Sequence, residues 1–121
     1  MPIDRALAVS VVDQAAQAWR DESPDAFVDL FAASGVFIVP GNRWIGQTAI
    51  QKAVADYFAT KTGVAIAIHQ IVFENTHALV EWRWSDLDRQ TQQRSQAEDA
   101  IAIDFDPEGK ILRWREYIDA Q

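Results

Sequence analysis

The chain has 121 residues, 49% of them hydrophobic, with a formal net charge of -7 and an isoelectric point near 4.6. That length suits one domain spanning residues 1–121 with a real core, and the acidic balance argues against the clustered Lys and Arg that a nucleic-acid footprint needs. The absence of cysteine excludes disulfide and thiolate chemistry and leaves a lean towards the cytoplasm.

The opening MPIDRALAVS carries an early Asp4 and no long apolar run, so neither a signal peptide nor a membrane span is expected there or elsewhere. Asp4 is placed to cap a first helix whose apolar stripe is Leu7, Val11, Ala15, Ala18 and Trp19. Ser23-Pro24-Asp25 combines an N-cap, a first-turn proline and an early acid, predicting a second, short helix buried through Phe27, Leu30 and Phe31 and stopped by Gly35. Val36 to Val39 reads as a short buried strand ended by the turn signal Pro40-Gly41-Asn42. Ile50, Val54 and Phe58, spaced by four and flanked by Ala53 and Tyr57, predict a third helix from about Gln47 to Thr60.

The second half changes period. Val64 to Phe73, Ala78 to Ser85, Ala97 to Phe105 and Lys110 to Ile118 are rich in β-branched and aromatic residues and are separated by polar stretches, the longest from Asp86 to Gln96. Four such segments predict an antiparallel meander, and helices followed by strands predict an α+β architecture with the helices packed on one face of the sheet.

In the last segment Glu116 interrupts the apolar row Leu112, Trp114 and Ile118. If Asp106 to Gly109 forms the loop, Phe105 pairs with Lys110, Ile103 with Leu112, Ile101 with Trp114 and Asp99 with Glu116. Two facing carboxylates repel and burial disfavours their charge, so one should hold its proton well above a value of about 4. Such a pair is a recognised source of a general acid and a general base. The alternative is that both are rim residues at splayed strand ends, or that a bulge at the Pro107 turn flips the face. Trp82 and Trp84 share the inner face of their strand with Ala78 and Val80, and Trp84 falls beside Asp99. The outer face carries Glu81, Arg83, Glu98, Asp104, Arg113 and Arg115, a mixed-sign pattern suited to solvent or to a dimer contact.

His69 alternates with Ile71 and Phe73, so it either enters the interior as a proton carrier or is a hydrogen-bonded structural residue. His77 falls in a turn. Two distant histidines without cysteines give no metal-ligand spacing, and no metal or cofactor is expected. Arg43 and Trp44 either close the mouth of a cavity or, with Ile45, staple the start of the third helix.

The succession AWRDESPDAFVDLFAASGVFIVP, then WIGQTAIQKAVADYF, then EGKILRWREYID resembles the nuclear-transport-factor-2-like superfamily, and within it the SnoaL-like group. The resemblance covers nearly the whole chain and implies a cone-shaped fold in which a strongly bent, mostly antiparallel sheet wraps three N-terminal helices and encloses a pocket. It also implies a homodimer built through the outer sheet face. Trp114-Arg115-Glu116 is similar to the Trp-Arg-Asp run whose acid is catalytic in limonene epoxide hydrolase, with Glu in place of Asp. The Arg and Asp which that enzyme carries on its middle strand fall on Trp82 and Trp84, and its water-positioning Tyr and Asn on Phe37 and Val39. The general base of ketosteroid isomerase falls on Val39, and its oxyanion-hole Tyr and Asp fall near Ala15 and Ile101. Glu116 is the best match, and none of the other roles carries over.

The expected functional groups are therefore Glu116, Asp99 and His69. The expected pocket wall is Trp44, Trp82, Trp84 and Trp114, with Phe37, Val39, Tyr57 and Ile101, which suits a hydrophobic small molecule. Acid/base chemistry of the isomerase, cyclase, lyase or hydrolase kind on an apolar cyclic or carbonyl substrate is one expectation. Hydrophobic-ligand binding or sensing without turnover is another, and an interaction domain with a filled core is a third.

Overall fold

The computed structural model describes residues 3–121. Three helices, α1 Arg5–Arg20, α2 Pro24–Val28 and α3 Gln47–Thr60, pack against six strands: β1 Phe31–Val39, β2 Asn42–Ile45, β3 Lys61–Glu74, β4 His77–Asp88, β5 Arg94–Phe105 and β6 Ile111–Ala120. The strands form one strongly curved, unclosed sheet in the order β2-β1-β6-β5-β4-β3. Among the described residues only the β1–β6 pairing is parallel; β3 to β6 form the expected meander. Among the described residues, no helix is long and apolar enough to cross a membrane.

Local chemistry sets the helix ends. Asp4 caps α1 by accepting from the Leu7 amide at 2.9 Å, and Ser23 caps α2 by accepting from Ala26 at 3.2 Å. The second helix is shorter than expected and the first strand longer. Gly35 does not stop a helix: it lies in β1, where an added Cβ would come within 2.8 Å of the Ile111 carbonyl oxygen. Phe31 already pairs with Ile111, and the Ile111 amide donates to the Leu30 carbonyl at 2.9 Å, so docking on β6 draws residues 31–34 into extended backbone.

The β5–β6 register also differs from expectation. Phe105 pairs with Ile111, and Asp104 with Arg113, so Leu112 is the extra residue of a bulge. Asp106 builds the preceding turn by accepting from the Glu108 and Lys110 amides at 2.8 and 2.9 Å, and Gly109 occupies φ +88°. Leu112 consequently turns to solvent, and Ile111 takes its place inside. Beyond the bulge the inner row resumes with Trp114 and Glu116, but Asp99 faces Ile118, while Glu116 faces Ile101.

The core between sheet and helices is strongly aromatic. Trp19 is its hub, with ring centroids 5.1 Å from Phe27, 5.4 Å from Tyr57 and Phe58, and 5.3 Å from Trp84. Such offset and edge-on contacts add roughly 0.5–1.5 kcal/mol per pair beyond the area they bury.

Candidate functional site

A cavity of about 360 Å³ lies between α1, α3 and the inner face of the sheet. Trp19, Phe37, Val39, Trp44, Tyr57 and Trp84 give it aromatic and aliphatic walls, and Asp86, Asp99 and Glu116 are its acidic groups. Ser95, Gln96 and Ala120, all exposed, border its open rim.

Each acid is held by an indole. Trp114 Nε1 donates to Glu116 Oε2 at 2.9 Å, Trp82 Nε1 to Asp99 Oδ2 at 3.2 Å, and Trp84 Nε1 to Asp86 Oδ2 at 3.1 Å. The Tyr57 hydroxyl donates to the same Asp86 oxygen. All three acids are more than nine-tenths buried. Burial pushes the Glu116 carboxyl up to about 8, the Trp114 hydrogen bond opposing this and the Asp99 charge adding to it. Burial likewise raises Asp99 to about 6, opposed by Trp82 and assisted by the charge of Glu98. The Tyr57 phenol is pushed far above its ordinary value by burial, then by its hydrogen bond to Asp86 and that group's charge. Tyr57 is therefore a fixed donor.

Asp99 and Glu116 are diagonal rather than opposite neighbours, a relation that keeps same-face side chains roughly 7 Å apart at Cβ. They share the inner face, but both carboxyls are raised where one was expected to be, and the expected direct pairing does not form. Trp84, Tyr57, Phe37, Val39 and Trp44 line the cavity as expected. Trp44 belongs to β2 and stacks on Phe37 at 5.3 Å, while Ile45 is 62% exposed, which removes the stapling alternative. Arg43 does not border the cavity. Trp82, Trp114 and Ile101 do not line it either: fully buried, they stand behind the wall, and the two indoles reach the acids from there.

His69 lies outside the cavity. Ile68 pairs with Trp82 and Gln70 with Glu81, so His69 is the extra residue of a bulge and points outward, its Nε2 3.3 Å from Glu98 Oε2. The proton-carrier alternative is thereby removed. Asp86 and Trp19 are among the lining residues outside the expected set. Asp86 opens the polar stretch that the sequence predicts as a connection, although the inner-face alternation Ala78, Val80, Trp82, Trp84 continues to it. Trp19 is predicted only as core, yet among the described residues its Nε1 is buried without a partner, as are Asp86 Oδ1 and Asp99 Oδ1.

The family model for the SnoaL-like domain matches residues 12–114. No curated protein matches. Among solved structures, a hypothetical protein with a ketosteroid isomerase-like fold from Catenulispora acidiphila, in complex with trimethylamine, is 21% identical with a TM-score of 0.82, covering 88% of this chain and 83% of its own. A limonene-epoxide-hydrolase-like epoxide hydrolase from M. tuberculosis is 21% identical with a TM-score of 0.81, covering 94% and 84%. The epoxide hydrolase/cyclase-like enzyme SalBIII, of pyran ring formation in salinomycin, is 16% identical with a TM-score of 0.84, covering 95% and 92%. At these identities the likeness is one of fold. With the family model spanning most of its length, the chain belongs to the SnoaL-like domain family and has the nuclear-transport-factor-2-like fold.

Proposed function

We propose that the cavity binds an apolar cyclic or carbonyl-bearing small molecule and moves a proton on it, with Glu116 as the acid and Asp99 as the base. One observation carries this: two neighbouring carboxyls on one wall of an aromatic cavity have proton affinities separated to about 8 and about 6. Near pH 7 the first holds its proton and the second has mostly lost it. Glu116 then donates its O–H to a substrate oxygen, and Asp99 accepts a proton from an adjacent carbon. The net result is an isomerisation or the first step of an elimination or ring closure. The aromatic walls exclude water and favour flat rings.

The test begins with tryptophan fluorescence during titration with cyclic ketones, enones and epoxides. Any compound that binds is then followed for conversion by wild type, Glu116→Gln and Asp99→Asn. The expected results are loss of roughly 10²–10⁴-fold in kcat in either variant, with binding retained, and a wild-type rate maximum between pH 6 and 8. Undiminished turnover by Glu116→Gln would sink the assignment.

A second reading, ligand binding or sensing without turnover, is favoured by Trp82, Trp84, Phe37 and Val39, none of which moves a proton where limonene epoxide hydrolase has polar catalytic groups. Compounds that bind and emerge unchanged would select it. Exposed Val72, Leu79, Leu112 and Tyr117 support a homodimer through the outer sheet face, which light scattering tests.

A further inference from the structure

The ladder between β1 and β6 ends early. Its last partners are Ile38 and Arg115, yet β6 runs on to Ala120, while the chain after β1 turns away at Pro40 and Gly41 into β2. Beyond Arg115 the two strands part, and a groove of about 520 Å³ lies there, bordered by Ile38, Asn42, Arg43, Arg115 and Tyr117. Val39, Glu116 and Ile118 line both this groove and the aromatic cavity. The carboxyl proposed as the acid therefore stands at the boundary between the two spaces.

These spaces differ in charge. Three acids line the cavity and, among the described residues, no lysine, arginine or histidine does, whereas Arg43 and Arg115 line the groove. Ile38 pairs with Arg43 on one side and with Arg115 on the other, so both side chains rise from the same face of the sheet, with Cα atoms roughly 10 Å apart by strand spacing. Two long side chains at that separation can close on one group from both sides. Both are exposed, and among the described residues neither is in an ion pair, although the chain has 18 acids to 11 lysines and arginines. Arg115 lies instead against Tyr117, its Cζ 4.8 Å from the ring centroid, which keeps its guanidinium at the groove. A guanidinium offers forked donors that match the oxygens of a carboxylate or phosphate. The acids inside the cavity disfavour such a group there, and Glu116, kept mostly protonated near pH 7 by burial, puts little negative charge at the boundary.

We propose that the groove between β1 and β6 receives an anionic group of the ligand, a carboxylate or a phosphate, between Arg43 and Arg115, while the apolar body of the same molecule lies in the cavity beyond Val39 and Ile118. The inference rests on the cavity being a small-molecule site and adds the class of molecule, an amphipathic acid. It also fixes an orientation, because the atoms that join the two ends of such a ligand pass Glu116.

The test compares 4-phenylbutanoate with 4-phenylbutanamide, two probes of nearly the same shape, at pH 7 and low salt, with acetate as the anion alone. Occupancy of the cavity is read from the indole N–H resonances of Trp44 and Trp84, and occupancy of the groove from the Nε–H resonances of Arg43 and Arg115. The acid should bind at least roughly tenfold more tightly than the amide and move both sets of resonances, and Arg43→Gln and Arg115→Gln should each reduce that preference while the affinity for the amide stays unchanged. Amide bound by wild type as tightly as the acid overturns the inference and leaves the cavity standing as a site. Failure of both probes overturns the cavity reading as well. A preference that survives replacement of both arginines overturns their role. Acid that moves the arginine resonances but not the indoles, no more tightly than acetate does, means a free-anion site and overturns the link to the cavity. Because the comparison of acid with amide is made on wild-type protein, it holds even if a variant does not fold.

Discussion

Trp114 and Glu116 sit two residues apart on the inner face of β6, and the indole N–H of the first donates to the carboxyl of the second at 2.9 Å. The same device recurs along β4 between Trp84 and Asp86, and across strands between Trp82 and Asp99. A fixed neutral donor stabilises a carboxylate more than a carboxylic acid, so Trp114 and Trp82 work against the desolvation that raises Glu116 and Asp99. Position and proton affinity are thus set by the same residue type. A tryptophan that looks like core is the support of an acid.

Replacing Trp114 with Phe removes this donor while keeping an aromatic ring. The Glu116 proton affinity should then rise above its value of about 8, since the hydrogen bond was the lowering influence. The smaller ring leaves a void in a fully buried site, with a stability loss of roughly 1–3 kcal/mol. Carbon-13 NMR titration of the Glu116 carboxyl checks the direction. A fall in its midpoint would mean that the indole does not favour the ionised form.

Glu116 also makes stability depend on pH in a direction unusual for a glutamate. Its folded value, about 8, lies above its ordinary 4.5, so the native state keeps a proton that the unfolded chain releases. This contribution is fully present below pH 4.5 and is lost as pH rises to 8, with a slope approaching about 1.4 kcal/mol per pH unit. Asp99, raised from 3.8 to about 6, adds in the same sense over the lower part of the window. The depressed carboxyl of Asp88, held by the Thr91 and Gln90 amides, acts in the opposite sense, below its ordinary 3.8 and outside the window. Glu116→Gln, which cannot ionise, should therefore gain on wild type steadily between pH 5 and 8. Urea unfolding at pH 5, 6.5 and 8 reads the difference, and a constant offset would mean that Glu116 titrates normally.

Much of this site was legible in the sequence, because period-two alternation is a local property. It assigns Trp84, Asp99 and Glu116 to the inner face, and the caps at Asp4 and Ser23 are equally local. The misplacements of His69 and Leu112 share one cause. A bulge adds one residue and reverses the alternation beyond it: His69 is such a residue on β3, and Leu112 on β6. Nothing in IHQ or ILR marks the insertion, which is set by pairing with a neighbouring strand. The Asp86 error is different in kind. Its alternation was visible, but an acid at the start of a polar run reads as loop unless its partners Tyr57 and Trp84 are known to face it.

Gly35 offers a test of how closely the cavity wall depends on strand docking. A Cβ there would lie 2.8 Å from the Ile111 carbonyl oxygen, 2.9 Å from Phe31 Cδ2 and 3.0 Å from the Ala32 carbonyl oxygen. Two of these neighbours are backbone atoms of paired strands and cannot rotate away. Alanine would gain about 0.4–1 kcal/mol by restricting the unfolded chain, but close contact in a packed interior costs roughly 1–3 kcal/mol, so the net effect is destabilising. The Gly35 carbonyl also accepts from the Gly46 amide at 2.8 Å, at the start of α3, and Phe37 and Trp44 lie just beyond on β1 and β2. Gly35→Ala should therefore lower the urea midpoint and weaken ligand binding together, whereas Ser34→Ala, at an exposed neighbouring position, should do neither. A Gly35→Ala protein as stable as wild type would mean that β1 can move off β6 without loss, and that the Phe37–Trp44 wall is not held by that docking.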